Sequence, residues 1–211
     1  MESVCKRYGA ATILDGLDLS VSVGQVVSIM GVNGSGKSTL LRIAATLTTP
    51  TSGELTIKGT DAVKNAADAR RHIGAVMHSP MLYSDLTVRE NLSLFATLCR
   101  LDDPVKRVEQ VASRLALHDR LDERVRRLSH GYRKRVAIAR AIIHRPSLLL
   151  LDEPETGLDD ASLDALMDIV MEWKSNDLSV LVATHSSEFV SDAADATYRI
   201  SGGRLRTAEI E

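Results

Sequence analysis

"GVNGSGKST", Gly31 to Thr39, decides how the rest of the chain is read. It fits the spacing G-x-x-x-x-G-K-[ST]. Before it stands "VVSIM" (Val26 to Met30), apolar but for Ser28, as a buried parallel strand would be. After it, Lys37 to about Ala45 reads as a helix. Gly31, Gly34 and Gly36, with Asn33 and Ser35 between them, let backbone N–H groups turn inward around one anion. The helix start adds unpaired N–H groups and the positive end of its dipole. Lys37 supplies a point charge for the β- and γ-phosphates of a nucleotide. Ser38 offers a hydroxyl to Mg²⁺, and Thr39 closes the motif.

Outward from this loop, "LDLSVSV" (Leu17–Val23) alternates and reads as a half-buried strand. "ELTIKG" reads as a strand and turn, and "HIGAVM" as another short strand. Then the character changes. Thr87 followed by Glu90 forms a capping box, and Asp103–Pro104 opens a second helix with Val105, Val108, Val111 and Leu115 on one face. Residues from about 84 to 145 are therefore expected to be mostly helical. "SLLLL" (Ser147–Leu151) and "LSVLVA" (Leu178–Ala183) return to buried-strand character, and "ISGGRL" reads as a closing hairpin turn. Strands alternating with helices predict a parallel α/β sheet.

Composition narrows the classes. The 211 residues are 44% hydrophobic and 26% charged, with a net charge of −2, so no global field draws the chain to nucleic acid or membrane. Six Lys/Arg lie between Arg124 and Arg135, but without interleaved aromatics they are read as a solvated helix face, and no nucleic acid is expected. Cys5 and Cys99 have no framework spacing and are read as reduced thiols. No N-terminal apolar region suggests a secretion signal, and no run reaches the ~18 apolar residues of a membrane span.

"LLLLDEPETGLD" sets Asp152 and Glu153 at the end of an apolar strand, where open parallel sheets gather ligand groups. Asp152 is the candidate Mg²⁺ ligand, direct or through water. Glu153 is the candidate base that polarises a water toward the γ-phosphate. His185, in "VATHSS", ends another buried strand; a neutral imidazole there can donate to the γ-phosphate and hold the base.

Together these pieces resemble the ATP-binding cassette (ABC) ATPases, the nucleotide-binding domains of ABC transporters, over nearly the whole chain. The resemblance implies a P-loop α/β fold with a parallel core sheet, an N-terminal antiparallel β part and an inserted α-helical subdomain. It divides one domain, 1–211, into a core with its β part (1–83 and 146–211) and a helical subdomain (about 84–145). It implies ATP and Mg²⁺, and a separate transmembrane permease that holds the chain at the cytoplasmic face of a membrane. "CKRYG" resembles the family's aromatic loop, so Tyr8 would stack on adenine. "TGLD" resembles the D-loop, placing Asp159 at a subunit boundary. "LSHGY" resembles the family signature, in which Ser129 and the Gly131 N–H would cap the γ-phosphate held by a second copy in a head-to-tail homodimer.

Three departures accompany it. His78 stands where the Q-loop usually has glutamine, and a neutral imidazole suits Mg²⁺ poorly. His130 and Tyr132 replace the usual glycine and glutamine of the signature. The short segment before Tyr8 leaves little room for the family's first strand. "HSPMLYSDLTVRENL" looks most like the haem exporters of cytochrome c maturation, with other exporters of polysaccharide, lipid or drugs fitting nearly as well. The alternative class is a soluble cassette ATPase of translation or DNA repair.

Overall fold

The computed structural model describes residues 1–174, 177–185 and 187–208. Its strands are β1 (Glu2–Tyr8), β2 (Ala11–Leu17), β3 (Val26–Met30), β4 (Ser52–Glu54), β5 (Thr56–Ile57), β6 (Thr60–Asp61), β7 (Ile73–Val76), β8 (Leu148–Asp152), β9 (Ser179–Ala183), β10 (Ala196–Ser201) and β11 (Arg204–Thr207). The α-helices are α1 (Lys37–Ala44), α2 (Ala66–Arg70), α3 (Val88–Leu98), α4 (Pro104–Arg114), α5 (His130–Ile142), α6 (Asp160–Lys174) and α7 (Ser187–Ala193).

Six strands form the core sheet in the order β11-β10-β3-β9-β8-β7, parallel throughout except for the β10–β11 hairpin. Its central strands are apolar at consecutive positions because both faces are covered. Leu149, Leu151, Val180 and Val182 pack with α5, α6 and the apolar faces of α3 and α4. Leu150, Leu181, Ala183, Val27 and Ile29 pack with α1 and β2 on the other face. A second sheet, β2-β1-β4, is antiparallel, and β5 and β6 form a small hairpin.

Helix boundaries follow the caps. The Thr87 hydroxyl accepts from Glu90 N at 3.1 Å while Glu90 Oε2 accepts from Thr87 N at 2.7 Å, so the capping box forms. Asp103 caps α4 through Lys106 N, with Pro104 in the first turn. Between β7 and β8 the chain is built from α3, α4, α5 and two short 3-10 turns.

Three local expectations are corrected. Leu17–Val23 is not a strand: β2 ends at Leu17, and beyond it Leu19 bonds with Met1, each N–H donating to the other's carbonyl at 3.0 and 3.1 Å. Its alternation reflects alternating burial along a crossing segment with no ladder partner. The segment before Tyr8 does form a strand, β1, which pairs with β2 and β4. "ELTIKG" is split at Leu55, its first half pairing with β1 and its second with β6. Among the described residues no helix is long and apolar enough to cross a membrane.

Candidate functional site

β3 delivers the chain to the phosphate loop at the C-terminal edge of the core sheet, and α1 leaves from it. Gly36 is the residue before α1 and takes φ +112. A Cβ there would meet Leu14 Cδ2 at 3.0 Å and Ile13 O at 3.2 Å, so the loop lies tight against β2 and admits only glycine. At Gly31 a Cβ would meet Ser35 Oγ at 2.7 Å. The Ser35 hydroxyl is buried without a partner among the described residues. Lys37, only 5% exposed, curls back so that Nζ donates to Gly31 O at 2.6 Å and lies 3.4 Å from Val32 O. A buried ammonium held by loop carbonyls in front of a helix N-terminus is a charge arranged to receive an anion.

A groove of about 360 Å³ opens over this loop. Tyr8 and Ile13 form its wall on the antiparallel side. Asn33, Gly34, Gly36, Lys37, Ser38 and Thr39 form its floor, and Glu153 stands at its edge. Ile13 is a member that the sequence did not announce. A larger cleft of about 1000 Å³ lies near the start of β8 and β9, at the opposite end of the sheet, against Met1, Leu19, Leu148 and Ser179. It carries none of the phosphate-binding residues, and the chemistry belongs to the smaller groove.

β8 runs beside β7 and β9 and ends at Asp152, 3% exposed. Ser38 Oγ donates to Asp152 Oδ1 at 3.1 Å, so the start of α1 and the end of β8 meet. Burial raises the Asp152 carboxyl above its ordinary range; the Ser38 hydroxyl opposes this, the Glu153 charge adds to it, and Lys134 and His78 oppose it. Among the described residues no cluster of three His, Cys, Asp or Glu side chains forms a metal cage. The adjacent hydroxyl and carboxylate oxygens of Ser38 and Asp152 fit Mg²⁺, which keeps several waters and binds few protein groups beside substrate phosphates.

Glu153 has φ +47, rare for a residue with a Cβ. Its N–H donates to Ala183 O at 2.8 Å, and its Oε1 lies 3.3 Å from His185 Nε2. The β8 and β9 ends are joined again by Glu155, whose Oε1 accepts from Thr184 Oγ1 at 2.8 Å and His185 N at 2.9 Å. Glu155 and Lys134 were not found from the sequence. Ser186, next in the "VATHSS" stretch, lies outside the described residues.

The remaining candidates lie apart from the groove. His78 is exposed and outside its lining, near enough to Asp152 to favour the carboxylate. Ser129 caps α5 with its hydroxyl accepting from Tyr132 N at 3.4 Å. His130 packs its ring over Gly157, where an added Cβ would lie 2.2 Å from Nδ1, and Gly131 lies under Gly157 O. Asp159 caps α6 through Ser162 N at 3.0 Å and pairs with Arg135 at 2.7 Å. Its bonds to Ser162, and then the Arg135 charge, hold its carboxyl below the ordinary range. The signature turn and the 153–159 loop are thus clasped within one chain.

A glycine loop between a strand and a helix, with a buried carboxylate at a neighbouring parallel strand end, defines a P-loop nucleotide-binding protein. The sequence pattern of the ABC transporter family matches residues 14–156. The chain is 36% identical over 192 residues to the ABC transporter ATP-binding protein NatA of Bacillus subtilis (strain 168), covering 90% of this chain and 78% of that one. It is 35% identical to the Nod factor export ATP-binding protein I of Rhizobium meliloti, over 97% of this chain and 62% of the relative's length. The solved dimer of the ATP-binding cassette MJ0796 in a post-hydrolysis state with ADP and Pi superposes with a TM-score of 0.91 at 27% identity, over 100% of this chain and 97% of that one. The chain belongs to the ABC transporter family, as an ATP-binding cassette.

Proposed function

We propose that this chain hydrolyses ATP, and that two copies closing head to tail around nucleotide drive a separate membrane permease. The observation that carries the reading is the Glu153–His185 pair, 3.3 Å apart at the edge of the phosphate groove. Lys37 would exchange its loop carbonyls for β- and γ-phosphate oxygens, and the loop N–H groups would bind the rest of the triphosphate. Tyr8 would stack on the base. Glu153 would take a proton from the attacking water, and His185, whose neutral ring has one N–H, would donate it to that carboxylate or, with nucleotide bound, to the γ-phosphate. Ser38 and Asp152 would hold Mg²⁺, which neutralises phosphate charge when bound.

Ser129 and Gly131 would complete the site of the second copy, and Asp159 would lie at the boundary between copies. The dimeric post-hydrolysis form of MJ0796 supports this assembly. His78 would contact water or respond to the nucleotide state rather than bind the metal directly. The division into a core with its β part (1–83 and 146–211) and a helical subdomain (about 84–145) belongs to the same reading. Export is the favoured direction, since one relative is named for Nod factor export; the cargo would be a small hydrophobic molecule, haem among the candidates. The chain would then sit on the cytoplasmic face of the membrane, held by its permease.

Phosphate release with Mg²⁺ and ATP tests the enzyme, and copurification from detergent-solubilised membranes tests the partner. Release at or below roughly 10 s⁻¹ and a permease in the eluate are expected. ATP binding without release would leave a nucleotide-gated protein, and release without a membrane partner would leave a soluble ATPase.

A further inference from the structure

Lys134 lies on α5 and is 7% exposed. Lysine ordinarily keeps its ammonium in water, and a buried cation is costly unless its bonds are good. Here Nζ donates to Glu153 O at 2.9 Å and lies 3.5 Å from Asp152 O. The carboxylates of Asp152, Glu155 and Glu153 act on it through space, partly offsetting the burial that lowers its pKa. The bonds of this cation therefore go to the main chain of the last residue of β8 and of the residue that follows it.

The backbone of Glu153 needs holding, as one of the described non-glycine residues at positive φ. It takes φ +47, and its side-chain direction depends on the peptide planes to either side of it. On one side its N–H is fixed to Ala183 O at 2.8 Å. On the other its carbonyl accepts from Lys134 Nζ and from Thr156 N, the latter at 3.2 Å. β9 and α5 thus bracket the turn that aims the carboxylate toward His185. We propose that Lys134 is a positioning residue for the Glu153 base, acting through the main-chain carbonyl of Glu153. The proposal rests on the reading of Glu153 as the base. It also ties the two ends of the reaction together through α5. The helix capped by Ser129, which would face the partner copy's nucleotide, is bonded to the base of its own subunit.

The test compares the parent with Lys134→Met, which matches the unbranched stem of lysine and removes the donor. Steady-state phosphate release should show kcat lowered roughly 10- to 100-fold, the size of one charge-assisted hydrogen bond lost from the reacting geometry. KM and the equilibrium affinity for ATP should be unchanged, because the phosphate loop is untouched. In a Glu153→Gln background the same substitution should have no further effect on rate, since residues acting as a unit are not additive. Amide hydrogen exchange supplies a readout independent of turnover: the Glu153 N–H should exchange faster in Lys134→Met, with the α1 amides unchanged. Should Lys134→Met not fold, Lys134→Gln is read instead. Its neutral amide is one bond shorter, and kcat should fall by at least a few-fold.

A folded variant with parental kcat and parental exchange at Glu153 overturns the proposal. So does a loss of rate that multiplies with that of Glu153→Gln, which would mark a general structural role. Full turnover in Glu153→Gln itself would instead fail the assignment of the base, and exchange at Glu153 would still decide whether Lys134 holds that turn.

Discussion

Ser38 Oγ and Asp152 Oδ1 lie 3.1 Å apart, joining the first turn of α1 to the end of β8. This bond partly compensates a carboxylate that burial otherwise disfavours. The sign follows from that burial. A carboxyl raised above its ordinary range binds its proton more tightly in the folded chain than in the unfolded one. Its favourable contribution is therefore present at low pH and lost as pH rises from the ordinary range through the raised value. At neutral pH ionised Asp152 weakens the fold, and Asp152→Asn should strengthen it while removing Mg²⁺-dependent ATP hydrolysis. A gain of ~1 kcal/mol reads as roughly 2–4 °C in a domain of this size. Thermal melts without metal check it. A lower melting temperature at neutral pH, with no change in mildly acidic buffer, would refute the sign.

Glu153→Gln should reduce phosphate release by at least about 100-fold, the low end of what a positioned base contributes. ATP affinity should stay, since Lys37 and the loop N–H groups remain. His185→Ala should reduce turnover as well, because Glu153 Oε1 then loses the imidazole 3.3 Å away. Binding titrations beside the rate assay separate the two effects. Loss of binding in parallel with loss of rate would place these residues in the cradle rather than in the chemistry.

The phosphate loop was legible because its chemistry is local: a fixed spacing of glycines, a lysine and a serine requires no knowledge of distant partners. Asp152, Glu153 and His185 could be placed for a similar reason, each lying at or just after the end of a short aliphatic run that reads as a buried strand. β1 was not legible. "ESVCKRY" buries only Val4, so no alternation marks it, and its order comes from pairing with β2 and with β4, remote in sequence. Leu17–Val23 misled in the opposite sense, since alternation reports burial and not a ladder partner. Lys134 and Glu155 stayed hidden because their bonds go to the main chain and to residues on other elements. In sequence Lys134 is one of a run of basic residues, and nothing there distinguishes the buried one from its exposed neighbours.

Tyr8 is 51% exposed at the rim of the groove, with the Lys6 ammonium 4.9 Å from its ring centroid. A base stacked on the ring contributes roughly 1–3 kcal/mol. Tyr8→Ala should therefore weaken ATP affinity by about 5- to 150-fold on that scale, without changing the rate at saturating ATP. Tyr8→Phe should bind as the parent does, because stacking needs the ring and not the hydroxyl. Equal affinity for the alanine variant and the parent would remove Tyr8 from the adenine site.

Ser129 is exposed at the start of α5, and its hydroxyl oxygen already accepts from Tyr132 N, leaving its proton free to be donated outward. If that proton goes to the γ-phosphate of a second copy, ATP is part of the dimer interface. A ligand that binds the closed dimer better than the open monomer must shift the population toward the dimer. Glu153→Gln saturated with ATP should then elute as a dimer in size-exclusion chromatography, and the same variant without nucleotide mainly as a monomer. Adding Ser129→Arg should abolish the dimer, since it would set a bulky side chain into the cap that Ser129 and Gly131 would offer the second copy's phosphate. The first ATP-binding step should be nearly unaffected, because Lys37 and Tyr8 lie in the chain's own groove. Monomeric binding weakened to the same degree as dimerisation would put Ser129 in the site of its own subunit. A dimer that survives Ser129→Arg would remove the serine from the interface altogether.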